Sequence, residues 1–302
     1  MTPHGRITGS SAPAITVRDA DLVVQGLHVL REELEIISLL TGAVGVEPLT
    51  CAQCDAYRLH APVDLAGLPE ACAAAAYDWA LVPRDRLLSR VRLVAFDMDS
   101  TLITIECIDE IARLQGIGDQ VSAITAAAMR GEIDFRGSLE RRVALLAGLP
   151  VSELQRVYDE RLRLTPGAEN LLATCRRIGA KTLLVSGGFT FFTDRLRSRL
   201  ALDHTLSNAL EIEDGRLTGR LTGRIVDAAA KAARFAELAD RYRGDDGIAL
   251  AIGDGANDLP MLALADVSVA YRAKPAVRSA AMHAIDHCGL DAVLNLFVGC
   301  EL

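Results

Sequence analysis

The sequence has no apolar run of the ~18 residues that a membrane-spanning helix requires, so no membrane partner is expected. It has no excess of positive charge either. The formal net charge is -8, which argues against nucleic acid as the main partner. A small anionic substrate remains compatible with that balance, because one local cation reverses the local potential. The first sixteen residues are rich in Ser, Pro and Gly and have no apolar centre, so a flexible start is expected rather than a secretory signal. Cysteine is sparse and unpatterned. Seven cysteines, an odd number and scattered, with no export signal, predict reduced thiols in a cytoplasmic protein. Cys51 and Cys54 form the one C-x-x-C, with no second pair to complete a zinc site. His283 and His287 are spaced to share a helix face, but no glutamate follows His283, so a packing or surface pair is expected instead of a metalloprotease motif. Internal repeats and low-complexity tracts are absent as well.

What is present falls into three zones within 302 residues, enough for two or three modest domains. Up to about Asp85, apolar periodicity predicts a strand at 22–24, a helix at 29–40, strands at 44–49 and 56–59, an alanine-rich helix at 68–79 and a strand at 80–82. That order suggests a small α+β sandwich, with a loop around Cys51–Cys54 that interrupts its sheet. The second zone opens on Val91–Phe96, a β-rich run that ends abruptly in Asp97-Met98-Asp99. Four helical patterns follow between Cys107 and Leu164 with no strand among them, which predicts an inserted helical bundle. The third zone alternates helix and strand, with a hairpin signal at Asp214-Gly215 and two helices at the end. Such alternation implies a doubly wound parallel sheet, an α/β core whose ligands sit beyond the carboxyl ends of the strands. Three predicted strands end in polar residues, at Asp97, Ser186 and Asp254, and these should meet at one site.

The chemistry follows from the residue types. Asp97, Asp99, Asp254 and Asp258 would gather several carboxylates in one cleft. Two unit charges ~4 Å apart repel by about 4 kcal/mol at an effective dielectric of about 20, so a cation or protons must intervene. Carboxylates without nearby His or Cys favour a hard, oxygen-seeking ion, and Mg2+ fits best. Lys231 on a helix, and Ser186-Gly187-Gly188 between a strand and a helix, offer a cation, a hydroxyl and N–H groups to an anion. A carboxylate nucleophile is ionised at neutral pH without help, whereas water attacking an acyl phosphate needs a base. Two aspartates separated by one residue suit those two tasks.

The ordered set of Asp97-x-Asp99-x-Thr101, Ser186-Gly187, Lys231 and Gly253-Asp254-Gly255-x-Asn257-Asp258 resembles the haloacid dehalogenase superfamily of phosphatases. Asp97-Met98-Asp99-Ser100-Thr101-Leu102 followed by Glu106 is most similar to the branch of that superfamily acting on O-phosphoserine. The resemblance implies Asp97 as nucleophile and Asp99 as general acid/base. It implies Mg2+ held by Asp97, the Asp99 main-chain carbonyl and Asp254. Ser186 and Lys231 would bind the phosphoryl group, with Thr101, Gly255, Asn257 and Asp258 in support. Glu106 and Arg142 match the positions that meet the substrate ammonium and carboxylate, Phe135 a residue that closes over the substrate, and Gly187 and Gly188 backbone contacts to it. The implied layout is a catalytic core over 86–106 and 165–302, a helical cap over 107–164 and, by its element order, an ACT-like domain over 17–85 that could carry a homodimer contact.

Two other readings compete. One is a phosphatase or phosphotransferase for another small phosphorylated amine or alcohol. The other is an inactive amino-acid-sensing scaffold, which would have no use for clustered carboxylates. An ion-pumping ATPase shares the aspartyl-phosphate chemistry but needs membrane helices that this sequence does not offer.

Overall fold

The computed structural model describes residues 16–300, so the flexible start expected from the sequence falls outside it apart from Thr16. The first layer comprises β1 (Ala20–Gly26), α1 (Arg31–Thr41), β2 (Gly45–Leu49), β3 (Asp55–His60), α2 (Leu68–Ala75) and β4 (Asp78–Pro83). Its four strands are antiparallel in the order β2-β3-β1-β4. β1 is buried along its whole length because both faces of the sheet are covered. Period-two alternation sorts its side chains. Leu22 and Val24 pack with Ile37, Leu68 and Cys72 of the two helices, while Val23 joins Leu88, Val94 and Phe96 of the main core. α1 ends where Gly42 turns left-handed (φ 65°) and the N–H groups of Gly42 and Ala43 return to Leu39 and Ser38. The loop at 50–54 connects β2 to β3 without interrupting the sheet, since their register runs unbroken from Gly45↔His60 to Leu49↔Ala56. The alanine-rich helix is shorter than its periodicity implied. It stops at Ala75, and Trp79 lies in β4 opposite Val24, where sheet pairing outweighs helix propensity.

The core begins at β5 (Val91–Phe96) and, after the turn that carries Asp97 and Asp99, passes into α3 (Cys107–Leu114), α4 (Gly118–Met129), α5 (Phe135–Ala144) and α6 (Val151–Glu160). It returns through α7 (Ala168–Ile178), β6 (Lys181–Phe189), α8 (Thr190–Leu200), β7 (His204–Glu213), β8 (Arg216–Thr222) and α9 (Ala228–Tyr242). β9 (Ile248–Gly253), α10 (Leu259–Leu262), β10 (Val267–Tyr271), α11 (Pro275–Ala280) and β11 (His283–Ile285) complete it. The sheet order is β11-β10-β9-β5-β6-β7-β8, parallel except for the β7–β8 hairpin. β5 lies between β6 and β9, so the strand order reverses there and opens a crevice at its carboxyl end. Leu93 and Ala95 pack towards Phe235 and Leu238 of α9, while Val94 and Phe96 pack towards Leu171 and Leu172 of α7. Phe96 is fully buried, and truncating it to alanine would cost about 3–5 kcal/mol. The chain enters and leaves the α3–α6 insert side by side: Ile103 bridges Leu164, and the Thr104 N–H donates to the Arg163 carbonyl.

The C-terminal segment departs from the two helices expected. It holds α11, the short strand β11 and a 3-10 turn at Leu290–Leu296. His283 therefore lies in β11 opposite Val269, not on a helix face with His287. Burial pushes His283 down to about 3, and its neutral Nε2 accepts from Arg86 Nη1 at 2.6 Å. This segment also holds the first layer. The Asp78 carboxylate accepts the N–H groups of Asp286, His287 and Cys288, Arg58 donates to the Phe297 carbonyl, and Asn295 donates to Gln25.

The expectation of seven reduced thiols is corrected here, since Cys51 and Cys300 form a disulfide. The two are 249 positions apart in sequence, which no local pattern could relate, yet docking brings their Cα atoms to 5.7 Å, within the range a disulfide spans. Among the described residues, no helix is long and apolar enough to cross a membrane.

Candidate active site

β5 ends at Phe96, and the Asp97 N–H continues the ladder by donating to the Ile252 carbonyl on β9. That bond fixes Asp97 at the crevice. Its Oδ1 accepts from the Met98 N–H at 2.7 Å and lies 2.8 Å from Lys231 Nζ. Lys231 reaches there from the first turn of α9, whose start is set by Asp227 capping the Ala230 N–H. The same ammonium lies 2.9 Å from Asp258 Oδ1, while Asp258 Oδ2 accepts the Gly255 N–H. The Lys231 and Asp258 side chains are 1% and 0% exposed, so this is a buried carboxylate–ammonium–carboxylate row. Asp254 closes the end of β9, with Oδ1 accepting from the Thr101 hydroxyl at 3.0 Å.

Asp99 stands two residues beyond Asp97, and its Oδ1 accepts the Cys107 N–H at the start of α3. Ser100, between them and Glu106, has a left-handed backbone (φ 56°), a costly conformation for a residue with a side chain, and its hydroxyl donates to Glu106 Oε1 at 2.7 Å. Across the crevice, the Ser186 hydroxyl accepts the Gly188 N–H at 2.8 Å. Gly188 leaves little room for a side chain: a Cβ there would lie 2.8 Å from Met98 Cε, which would have to shift, and 3.0 Å from Asp99 Oδ2. Phe135, the first residue of α5, covers Gly187, where a Cβ would come within 3.1 Å of the ring.

A cleft of about 460 Å³ opens above these groups. Asp97, Asp99, Glu106, Phe135, Arg142, Ser186, Gly187, Gly188, Asp254, Gly255 and Asn257 line it. Thr101, Lys231 and Asp258 lie buried behind its wall, held by the bonds just described. A larger cleft of about 710 Å³ at the junction with the first layer is lined by Trp79, Arg278, His283 and His287 among others. It gathers no set of carboxylates, in contrast to the smaller cleft.

Charge crowding sets the protonation. Burial raises the Asp97 carboxyl well above its ordinary range, Asp258 adds to this, and Lys231 opposes it. Burial and then Glu106 raise Asp99 to about 7, and burial and then Asp258 raise Asp254 to about 6. For Lys231, burial alone would lower the ammonium, but Asp97 and Asp258 outweigh it and hold the group charged. Carboxylate oxygens of Asp97, Asp254 and Asp258 lie within 4.8 Å of one another. Both Asp258 oxygens are engaged by Lys231 and Gly255, whereas Asp97 and Asp254 each keep one oxygen outside the bonds above. An all-oxygen set with more negative than positive charge suits a hard divalent cation. The Asp99 side chain stands outside this triplet, whereas Asp258, expected only in support, stands within it.

Residues 94–263 match the haloacid dehalogenase-like hydrolase family. The chain belongs to that family. The phosphoserine phosphatase of a Polaromonas species is 54% identical over 217 residues, covering 70% of this chain and 92% of the relative. Among solved structures, a haloacid dehalogenase family hydrolase from Salmonella enterica serovar Typhi superposes with a TM-score of 0.83 at 33% identity, covering 93% of this chain and all of that one. A probable phosphoserine phosphatase from Vibrio cholerae, in its unliganded form, gives 0.79 at 36% identity, covering 94% and 88%.

In this haloacid dehalogenase-like hydrolase the cleft also contains residues that sequence reasoning passed over. Asp109 lines it one helical turn beyond Glu106, with its Oδ1 buried and unpartnered. The i,i+3 spacing on α3 was the available signal. Lys274 lines it three residues beyond β10, a fourth strand end at the crevice, and its charge opposes the upward push that burial gives the Glu106 carboxyl.

Proposed function

We propose that this hydrolase removes phosphate from O-phosphoserine by way of a phosphorylated Asp97. The observation that carries the reading is one cleft holding two opposed sets of groups. Asp97, Asp99 and Ser186, with Lys231 behind them, form its floor, while Glu106 and Arg142 line the same space. The first set suits a phosphoryl group. The second offers an anion to an ammonium and a guanidinium fork to a carboxylate, the two groups that distinguish phosphoserine from a plain ester. The names of the matched relatives support the same substrate.

The residues divide the work in two steps. The Asp97 carboxylate, whose ionised form Lys231 favours from 2.8 Å against the push of burial and Asp258, attacks phosphorus as the bond to the serine oxygen breaks. Asp99 donates its proton to that departing oxygen. Asp99 then takes a proton from water as the water attacks the phosphorylated Asp97, which releases phosphate and restores both carboxyls. A group titrating near 7 serves as donor and acceptor equally well at neutral pH. The Ser186 hydroxyl and the nearby N–H groups receive the phosphoryl oxygens, and Phe135 over Gly187 screens the reacting atoms from water. Mg2+, held by Asp97, Asp254 and the Asp99 carbonyl, would supply the remaining charge neutralisation when bound.

For the first layer, we retain an ACT-like unit over residues 17–85 and a contact with a second copy. Its βαββαβ order and the exposed Leu39, Val44, Val46 and Val63 support this reading. Light scattering of wild type against Leu39→Glu/Val44→Lys tests the dimer.

The deciding assay is phosphate release from L-phosphoserine and a panel of other small phosphate esters, with Mg2+ and with chelator. A Mg2+-dependent preference for phosphoserine that vanishes in Asp97→Asn is expected. Equal release from unrelated esters would overturn the roles of Glu106 and Arg142, and release unaffected by Asp97→Asn would overturn the covalent step.

A further inference from the structure

Asp109 lines the reaction cleft from α3, one helical turn beyond Glu106, and the chemistry at Asp97 makes no use of it. Neither of its oxygens accepts a hydrogen bond or joins an ion pair, and Oδ1 is shut off from solvent. A charged acceptor left in that state is costly. The next residue shows the ordinary alternative, since Glu110 pairs along the helix with Arg113. Asp109 has no such partner and opens instead onto the substrate space.

The groups that share this end of the cleft are also incomplete. Glu106 has Oε1 engaged by the Ser100 hydroxyl at 2.7 Å, which leaves Oε2 as its free acceptor. The Arg142 side chain makes one bond, from Nε to the Ser138 carbonyl at 3.4 Å, so the ends of its fork have no carboxylate. Of the acids that line the cleft, Asp97, Asp99 and Asp254 serve the phosphoryl end, and Glu106 and Asp109 remain. Burial raises both of these carboxyls, and the charge of Asp109 raises Glu106 further. A primary ammonium has three diverging N–H donors, and a single carboxylate oxygen satisfies one of them. One cation therefore answers two needs: it gives both acids a partner and relieves the repulsion between them.

We infer that Asp109 is a specificity-determining residue, which together with Glu106 holds the ammonium of the substrate while Arg142 takes its carboxylate. The inference rests on the reading of the substrate as phosphoserine and deepens it. Two acids at this end serve selection in two ways. They bind an ester that brings an ammonium. They repel an ester that brings only its own negative charge, because such a molecule leaves both acids uncompensated in a confined space.

Steady-state kinetics of wild type and Asp109→Asn on three esters test this. Phosphoserine carries both groups, phosphoethanolamine keeps the ammonium without the carboxylate, and 3-phosphoglycerate has a hydroxyl in place of the ammonium. The variant keeps the shape of the side chain and removes its charge. Its kcat/KM should fall about 10–100-fold on phosphoserine and on phosphoethanolamine, the worth of a hydrogen bond to a charged group, with most of the loss in KM. On 3-phosphoglycerate it should hold or rise. An equal fall on 3-phosphoglycerate would make Asp109 a structural residue, and an unchanged value on phosphoserine would leave Glu106 alone with the ammonium; either result overturns the inference. A wild type without preference for phosphoserine over 3-phosphoglycerate would instead overturn the substrate reading on which it rests.

Discussion

Replacing Lys231 with methionine should expose how much the catalytic floor depends on one buried charge. Its ammonium lies 2.8 Å from Asp97 and 2.9 Å from Asp258, with all three side chains at most 8% exposed. Lys231→Met keeps the bulk of the stem and removes the cation between two carboxylates. Breaking a buried pair from one side costs about 3–5 kcal/mol, because the surviving charges stay buried without compensation. Repulsion of about 4 kcal/mol between unit charges ~4 Å apart at an effective dielectric of about 20 gives the same scale. Denaturant unfolding in chelator, with phosphate release measured in parallel, separates stability from chemistry. The single variant should lose about 3–5 kcal/mol and about 10²–10³-fold in turnover. Adding Asp258→Asn removes one of the opposed charges, so the double variant should regain about half of the lost stability while turnover stays low. A single variant destabilised by less than ~1 kcal/mol, or a double variant no more stable than the single, would refute the claim that Lys231 holds these carboxylates together.

Other consequences are more local. Arg142→Ala should weaken use of phosphoserine about 10²-fold while leaving a generic aryl phosphate within about threefold, as steady-state kinetics on both esters would show. Equal losses would make Arg142 structural. Gly188→Ala places a methyl 3.0 Å from Asp99 Oδ2, so turnover should fall about tenfold or more while the unfolding midpoint barely moves. His283 is held neutral in the fold, at about 3 against an ordinary 6.5, facing Arg86 with Asp85 beside that arginine. The unfolded chain therefore binds more protons than the folded one between those values, and stability falls as pH drops below about 6.5. By pH 5 the loss is about 2 kcal/mol, and His283→Asn should flatten that part of the pH–stability curve.

Much of this architecture could be read before any coordinates. The strands that lead into Asp97 and Asp254 were legible because a buried parallel strand is nearly all apolar and the polar residue at its end stands out; the third was read too short, since β6 carries on past Ser186 to Phe189 after a shift of register with β7. The helix at Ala228–Tyr242 was legible because its apolar stripe keeps a 3.6-residue period. Trp79 was misassigned because local alanine content favours helix while its strand partner, Val24, lies far back in the chain. The C-terminal segment was misread for a related reason: His283 and His287 follow helical spacing, but β10 recruits His283 into a strand. The Cys51–Cys300 bond was hidden by a separation of 249 residues. Asp109 and Lys274 gave weaker signals, since a lone acid or lysine on the sequence reads as a solvated surface group until the strand ends converge around it.

The paired passage at Ile103 and Leu164 joins two bodies through two adjacent lengths of backbone. Phe135 and Arg142 ride on one body, while Asp97, Ser186 and Lys231 belong to the other. The β7–β8 hairpin adds a third tie, since the Gly148 N–H donates to the Leu217 carbonyl, the Leu217 N–H to the Leu149 carbonyl and the Val151 N–H to the Gly215 carbonyl. The insert is thus threaded out of the core and sewn back onto the core's own hairpin, so any shift of Phe135 and Arg142 relative to the carboxylates must carry or break that seam.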